Sequence, residues 1–219
     1  SFVIVMVALV IIGTLVDIIH KKNVKYFFAN AKKAKLSATR ELGISERTGV
    51  IIKTVVNDIA TTSELGAGKR RVAHILGMYG TILFWIASTV MIFCYTSNTS
   101  DTPNVWPIMW HVGAIMTCIG GYWFWFFLRV DVLAEAHPWY RIIKADLFVL
   151  ALLACATSGL AWSYTQSLNL NNRWDDKLFL ILFIISNLVL FGGVYWSKFA
   201  HMFYKPGAAI QKNLAEADG

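Results

Sequence analysis

The chain has 219 residues, of which 57% are apolar and only 15% are charged, and its mean hydropathy is positive. That balance excludes a soluble domain of this length and points to an integral membrane protein. A net charge of +7 would suit a nucleic-acid binder, but no nucleic-acid motif accompanies it and the positive residues are distributed differently.

A transmembrane helix takes about 20 apolar residues, and five stretches qualify, predicting an all-α bundle of five membrane spans in one domain, 1–219. The first, 1–19, lacks the basic start and small-residue exit of a cleaved signal peptide and is expected to be retained. It opens on Ser1 inside the span, so further residues are expected to precede it. The loop 20–71 follows, with twelve of the twenty Lys and Arg. Within it, RTGVIIKTVVNDIATT places Val50, Ile51, Val55 and Ile59 along one side of a helix, with Lys53 and Asp58 elsewhere. This predicts an amphipathic helix lying on the membrane surface or against a partner. ELGAGKRR then breaks the pattern and leads into the second span, 72–97. The third span is 106–128, the fourth 145–166 and the fifth 178–203. The intervening turns SNTSDTPNVWP and NLNNRWDD are short and polar.

Charge sets the expected orientation. Eighteen Lys and Arg fall in 20–71, 129–144 and the segment from Lys198 onward, whereas only Arg173 and Lys177 fall on the other side. The positive-inside rule then puts the N-terminus outside and the C-terminus and long loop in the cytoplasm, as in a multi-pass protein of a prokaryotic inner membrane. The basic loops also suit anionic headgroups. Cys94, Cys118 and Cys155 all lie in predicted spans without a CxxC pair, which excludes an iron–sulphur, zinc or c-type haem site built from them.

Five histidines remain. His20 follows span 1, His74 opens span 2, His111 lies in the outer part of span 3, His137 sits in the loop AEAHPWYR, and His201 ends span 5. Chain direction brings His74 and His201 to the same inner depth. Two imidazoles on different helices at one depth can clamp a flat haem, with its propionates towards Arg70, Arg71 and Lys205 at the water. Gly77 and Gly80 in HILGMYG remove bulk where a porphyrin face would lie, although small residues serve plain helix contacts equally well. A bis-imidazole site with no open position suits electron transfer. The competing reading makes both histidines interfacial bystanders in a haem-free anchor or transport component. A metal-dependent membrane hydroxylase would need clustered histidines, and these are scattered. His111, near the outer face, is expected to bond a backbone carbonyl or a headgroup, and His20 and His137 to be solvated, with His137 a substitute ligand.

The motif Ser197-Lys198-x-x-His201-Met202-Phe203-x-x-Pro206 resembles the end of the last helix in the gamma subunit of respiratory nitrate reductase and its relatives. VAHILGMYGTILF (72–84) is similar to that family's second helix, and DTPNVW and IGGYWFWFFLR add weaker echoes, so the resemblance covers roughly residues 48–206. It implies a b-type cytochrome that anchors a cytoplasmic iron–sulphur or flavin enzyme and exchanges electrons with membrane quinone, with His74 and His201 as the axial ligands of its haem. Where the nitrate reductase pattern has the two ligands of a second, outer haem, this chain has Phe84 and Phe183. One haem b is therefore expected. The lone site and the long basic loop look more like membrane subunits of sulphur metabolism, the anchor of adenylylsulfate (APS) reductase foremost. Lys198 and Tyr204 flank the His201 helix end as candidate donors to a quinone carbonyl, and Lys198 is equally suited to snorkelling.

Overall fold

A computed structural model describes residues 2–21, 23–40, 42–65, 68–95, 102–129, 138–143, 146–168, 173–193 and 201–218, and no strand occurs among the described residues. Among the described residues, three helices are long and apolar enough to cross a membrane. These are α4 (Lys69–Cys94), α5 (Val105–Trp123, prolonged by a π-helical turn Phe124–Leu128) and α6 (Leu147–Ser167). At 1.5 Å per residue, the 24 residues of Val105–Leu128 reach about 36 Å, more than the ~30 Å hydrocarbon core.

The expected first and fifth spans are helical but shorter as apolar elements. In α1 (Phe2–Lys21) the described apolar stretch is Val3–Val16. In α7 (Trp174–Gly192) the first turn carries Asp175, Asp176 and Lys177, which leaves an apolar run starting only at Leu178. Of the expected span 178–203, the described residues give α7, which stops at Gly192 with Gly193 in a turn, and the first residues of α8 (His201–Asp218). Residues 194–200 between them lie outside the described set.

The described residues gather into two compact units, Gly68–Leu190 and the pair of segments Ser1–Ala67 with Phe191–Gly219. The first of these is built on the α4–α5 contact. Lipid tails are as apolar as leucine, so membrane helices associate through close packing and polar contacts rather than through exclusion of water. Here glycines supply the closeness. A Cβ on Gly113 would lie 2.5 Å from the backbone nitrogen of Phe84, and one on Gly120 would lie 2.5 Å from that of Gly77. A Cβ on Gly80 would meet the nitrogen of Thr117 at 2.6 Å. The pairings 113 with 84 and 120 with 77 make the two helices antiparallel. Between them the Thr81 and Thr117 hydroxyls approach to 3.5 Å, and each also donates to its own i−4 carbonyl.

Helix α6 packs on α5 and then on α7 through larger side chains. Gly121 abuts Leu153, the Tyr122 and Thr157 hydroxyls are 2.7 Å apart, and Trp162 stacks on Phe183 at 6.1 Å between ring centroids. At one end, Arg129 and Asp146 form a buried ion pair bracketing the loop between α5 and α6. The Arg129 guanidinium also donates to the carbonyls of Pro138 and Arg141 and lies 4.2 Å from the Trp125 ring. Asp146 in turn accepts from the Ile143 N–H.

In the second unit, α2 (Asn23–Ser37) and α3 (Ile44–Thr54) pack against α8. A π-helical turn, Val55–Ala60, prolongs α3, with Thr61 N–H donating to Val56 O at 3.0 Å. The expected amphipathic face 50-51-55-59 is only partly reproduced. Val50 and Ile51 are half-buried, but the packed face centres on Thr54 and Val55 is 41% exposed. The wider π turn shifts the phase of every residue beyond Thr54, a change that a 3.6-residue period cannot foresee.

Because Gly113 touches backbone rather than a movable side chain, Gly113→Val should force α4 and α5 apart. Overpacking of this kind costs roughly 1–3 kcal/mol or more. The expected result is a lowered Tm in detergent, with Gly49→Val, where a Cβ meets nothing within 4 Å, as the control.

Candidate functional site

His74 lies in the second turn of α4, just after Lys69, Arg70 and Arg71. Its neighbour Ala73 is buried, whereas the His74 side chain itself is exposed, at the flank of the face that meets α5. Arg70 and Arg71 are half-buried in the helix's first turn. One turn further on, a Cβ built on Gly77 meets nothing within 4 Å, so α4 has a bare stretch at i+3 from the imidazole. Gly80 differs, since its Cβ position is occupied by the α5 backbone.

His201 opens α8, but the side chains of residues 201–205 lie outside the described set, and so do those of the candidates Tyr204 and Lys205. Lys198, in 194–200, and His137 lie outside it altogether, as does the His20 side chain. His74 belongs to the unit Gly68–Leu190 and His201 to the other. Among the described residues no three His, Cys, Asp or Glu side chains gather to hold a metal ion. A haem clamp of the kind expected needs only two.

His111 is placed in full. Its Nδ1–H donates to the carbonyl of Pro107 at 2.7 Å, and its Nε2 lies 2.8 Å from Ser163 Oγ on α6. A carbonyl only accepts, so the proton is on Nδ1 and the Ser163 hydroxyl donates to Nε2 in the neutral ring. Both nitrogens are engaged, and His111 is a strut between α5 and α6. Its backbone-carbonyl partner matches the expectation from sequence, whereas Ser163, 52 residues away in the chain, could not be assigned from local pattern.

Phe84 and Phe183 meet in one cluster. Phe84 is 2% exposed and forms a core with Ala114, Cys155 and Ala156, against which Trp85, Trp110 and Phe183 pack. Phe84 and Trp110 ring centroids are 5.1 Å apart. Phe84 and Phe183, nearly a hundred positions apart and both standing where one family pattern has histidine, thus share one apolar cluster.

The support of α8 was not anticipated. Asn213 on α8 donates to Thr54 Oγ1 at 2.9 Å and to Asp58 Oδ2 at 2.7 Å, and Ser63 Oγ donates to Asp58 Oδ1 at 2.8 Å. Gln211 donates to Phe27 O, and the N–H groups of Thr39 and Arg40 both donate to Asp218 O. The hydrogen bonds from Ser63 and Asn213 hold the Asp58 carboxyl below its ordinary value.

Comparison with family models, with curated proteins and with solved structures gives no match to this chain.

A depressed carboxylate pKa contributes stability that is fully present above the unfolded value and is lost as pH falls through the lower, folded one. The contact between α8 and the π turn should therefore persist through neutral and mildly acidic pH and loosen only below the ordinary aspartate range. Asn213→Ala should return Asp58 towards the ordinary value. A 13C carboxyl titration of Asp58 in both proteins reads this directly, and an unchanged midpoint would refute the assignment.

Proposed function

We propose that the chain is the membrane anchor and electron-transfer subunit of a cytoplasmic iron–sulphur or flavin redox enzyme, exchanging electrons with membrane quinone through one haem b. The single observation that carries the reading is that Phe84 of α4 and Phe183 of α7 belong to one apolar cluster with Ala114, Cys155 and Ala156. The reading makes α4 and the segment following α7 the ligand-bearing pair, and a shared cluster supports it by placing residues of α4 and α7 in one core.

The donor chemistry suits the group. His74 offers an exposed imidazole, Gly77 leaves the adjacent helix surface bare, and Arg70 and Arg71 stand in the first turn where propionates would need cations. His201 supplies the second imidazole and Lys205 a further cation. A bis-imidazole haem has no open coordination position and supplies one-electron transfer rather than substrate chemistry. Lys198 and Tyr204, each three residues from His201 in the sequence, would be the hydrogen-bond donors to a quinone carbonyl. The soluble subunits dock on the 20–71 loop, the 129–144 loop and the tail, where the chain has its length and positive charge. The best specific assignment is the anchor of APS reductase in dissimilatory sulphur metabolism, in a prokaryotic inner membrane with the C-terminus cytoplasmic.

In the purified protein, a reduced-minus-oxidised spectrum should show a b-type α-band. His74→Ala and His201→Ala should each abolish it while the protein remains in the membrane. A band that survives both changes ends the ligand assignment, and a wild-type chain with no band is a haem-free anchor.

A second prediction concerns charge movement. Two haem levels set by ligands ten residues apart on one helix would stand about 15 Å apart. On this reading Phe84 and Phe183 stand in place of the outer ligands, which leaves quinone to react in the inner half and to exchange protons with the cytoplasm. Reconstituted with its partner and quinone in liposomes, the complex should turn over without generating a membrane potential. A voltage-sensitive dye that responds to turnover would contradict this.

A further inference from the structure

Helix α3 and its π turn carry an apolar stripe that none of the described residues of their own unit covers. Ile44 is 89% exposed, Ile52 58%, Val56 51% and Val55 41%. Ile44, Thr48, Ile52 and Val55 recur at helical spacing, so they line one side of the element. The other side, through Val50 and Thr54, faces α8. The stripe is therefore the solvent-side face of a packed helix, where polar residues belong. Arg47 and Lys53 stand on opposite flanks of it. The only carboxylate of α3, Glu46, is paired with Arg40 at 3.3 Å.

We infer that this face lies in the headgroup layer of an anionic leaflet, with Ile44, Ile52, Val55 and Val56 at the acyl boundary and Arg47 and Lys53 reaching phosphates. Three observations select lipid over protein. Helix α2, in the same unit, carries four lysines and no carboxylate, and lysine is depleted in protein interfaces but attracted to anionic membranes. The stripe offers four apolar side chains, few against the roughly 20–30 residues a side of a stable protein contact. The unit also contains α1, whose exposed apolar side chains Ile4, Ile11, Ile12 and Leu15 need a bilayer. Helix α2 begins two residues after α1 ends, so a membrane surface is within reach of the unit. The inference is independent of whether the protein binds haem.

The test uses the full chain with its three native cysteines replaced, reconstituted in nanodiscs of mixed phosphatidylcholine and phosphatidylglycerol. An environment-sensitive fluorophore is placed at Ile52→Cys or, as control, at Lys212→Cys, which is 68% exposed on α8. With a lipid spin-labelled near the headgroup, the label at 52 should be blue-shifted and lose most of its emission, while the label at 212 keeps its own. Adding Arg47→Gln and Lys53→Gln should lower the lipid-bound population by on the order of tenfold, and nanodiscs of phosphatidylcholine alone should do the same. Equal emission at 52 and 212, or no quenching at 52, overturns the inference. So does protection of 52 that arises only when soluble redox subunits are added, because that assigns the face to a protein.

Discussion

The backbone-to-backbone contact of α4 with α5 is the constraint on which the rest of the unit Gly68–Leu190 depends. In a bilayer no hydrophobic force draws two apolar helices together, so the contact must be made by atoms that fit. Gly80, Gly113 and Gly120 let the chains approach until any Cβ would overlap backbone, and Thr81 and Thr117 approach one another across the seam. Such a contact admits one register. It fixes Phe84 opposite Gly113, and Phe84 with Ala114, Cys155 and Ala156 forms the core against which Trp110 and Phe183 pack. It also fixes which side of α4 is turned away from α5, and hence where His74 stands.

Polar groups then tie successive helices at their ends. In a medium without water, an unsatisfied donor or acceptor costs several kcal/mol, so polar side chains persist where they find one another. His111 and Ser163 join α5 to α6, while Asp176 accepts from Thr165 and Gln166 and joins α6 to α7. Arg129 and Asp146 close the opposite end of the α5–α6 pair. Removing one partner of such a pair leaves a buried charge uncompensated, at a cost of roughly 3–5 kcal/mol. Arg129 does more than pair, because its two terminal nitrogens also reach the carbonyls of Pro138 and Arg141 and so define the path of residues 138–143, while its buried Nε has no hydrogen-bond partner among the described residues.

What could be read from sequence follows the same physics. The spans 72–97, 106–128 and 145–166 were legible because a bilayer demands a run of apolar residues whatever their neighbours, and α4, α5 and α6 fall within a few residues of them. The carbonyl partner of His111 was legible because it is one turn away on the same helix. Three features were not. The π turn after Thr54 is bonded at Thr54 and Asp58 by Asn213, which is 159 residues distant from Thr54. The end of α7 falls inside an apolar run and is marked only by the pair Gly192-Gly193, and the pair Gly120-Gly121 lies inside α5 without ending it. The roles of Gly77 and Gly80 could not be separated, because a glycine reads the same whether it faces open space or another helix. Only coordinates distinguish the open side at Gly77 from the filled one at Gly80.

The His201 motif belongs to a helix that continues past the expected span: α8 runs through Pro206 to Asp218. Proline inside a helix removes one i→i−4 hydrogen bond and crowds the preceding turn, a penalty of about 3 kcal/mol in an isolated helix. The helix persists because its distal half is fastened elsewhere: Gln211 to Phe27, Asn213 to Thr54 and Asp58, and the Asp218 carbonyl to the N–H groups of Thr39 and Arg40. Every one of those partners lies between α1 and α4. The first loop is therefore structural support for the C-terminal helix as well as a charged surface, and changes in residues 27–58 act on the helix that begins at His201 even when α7 is untouched.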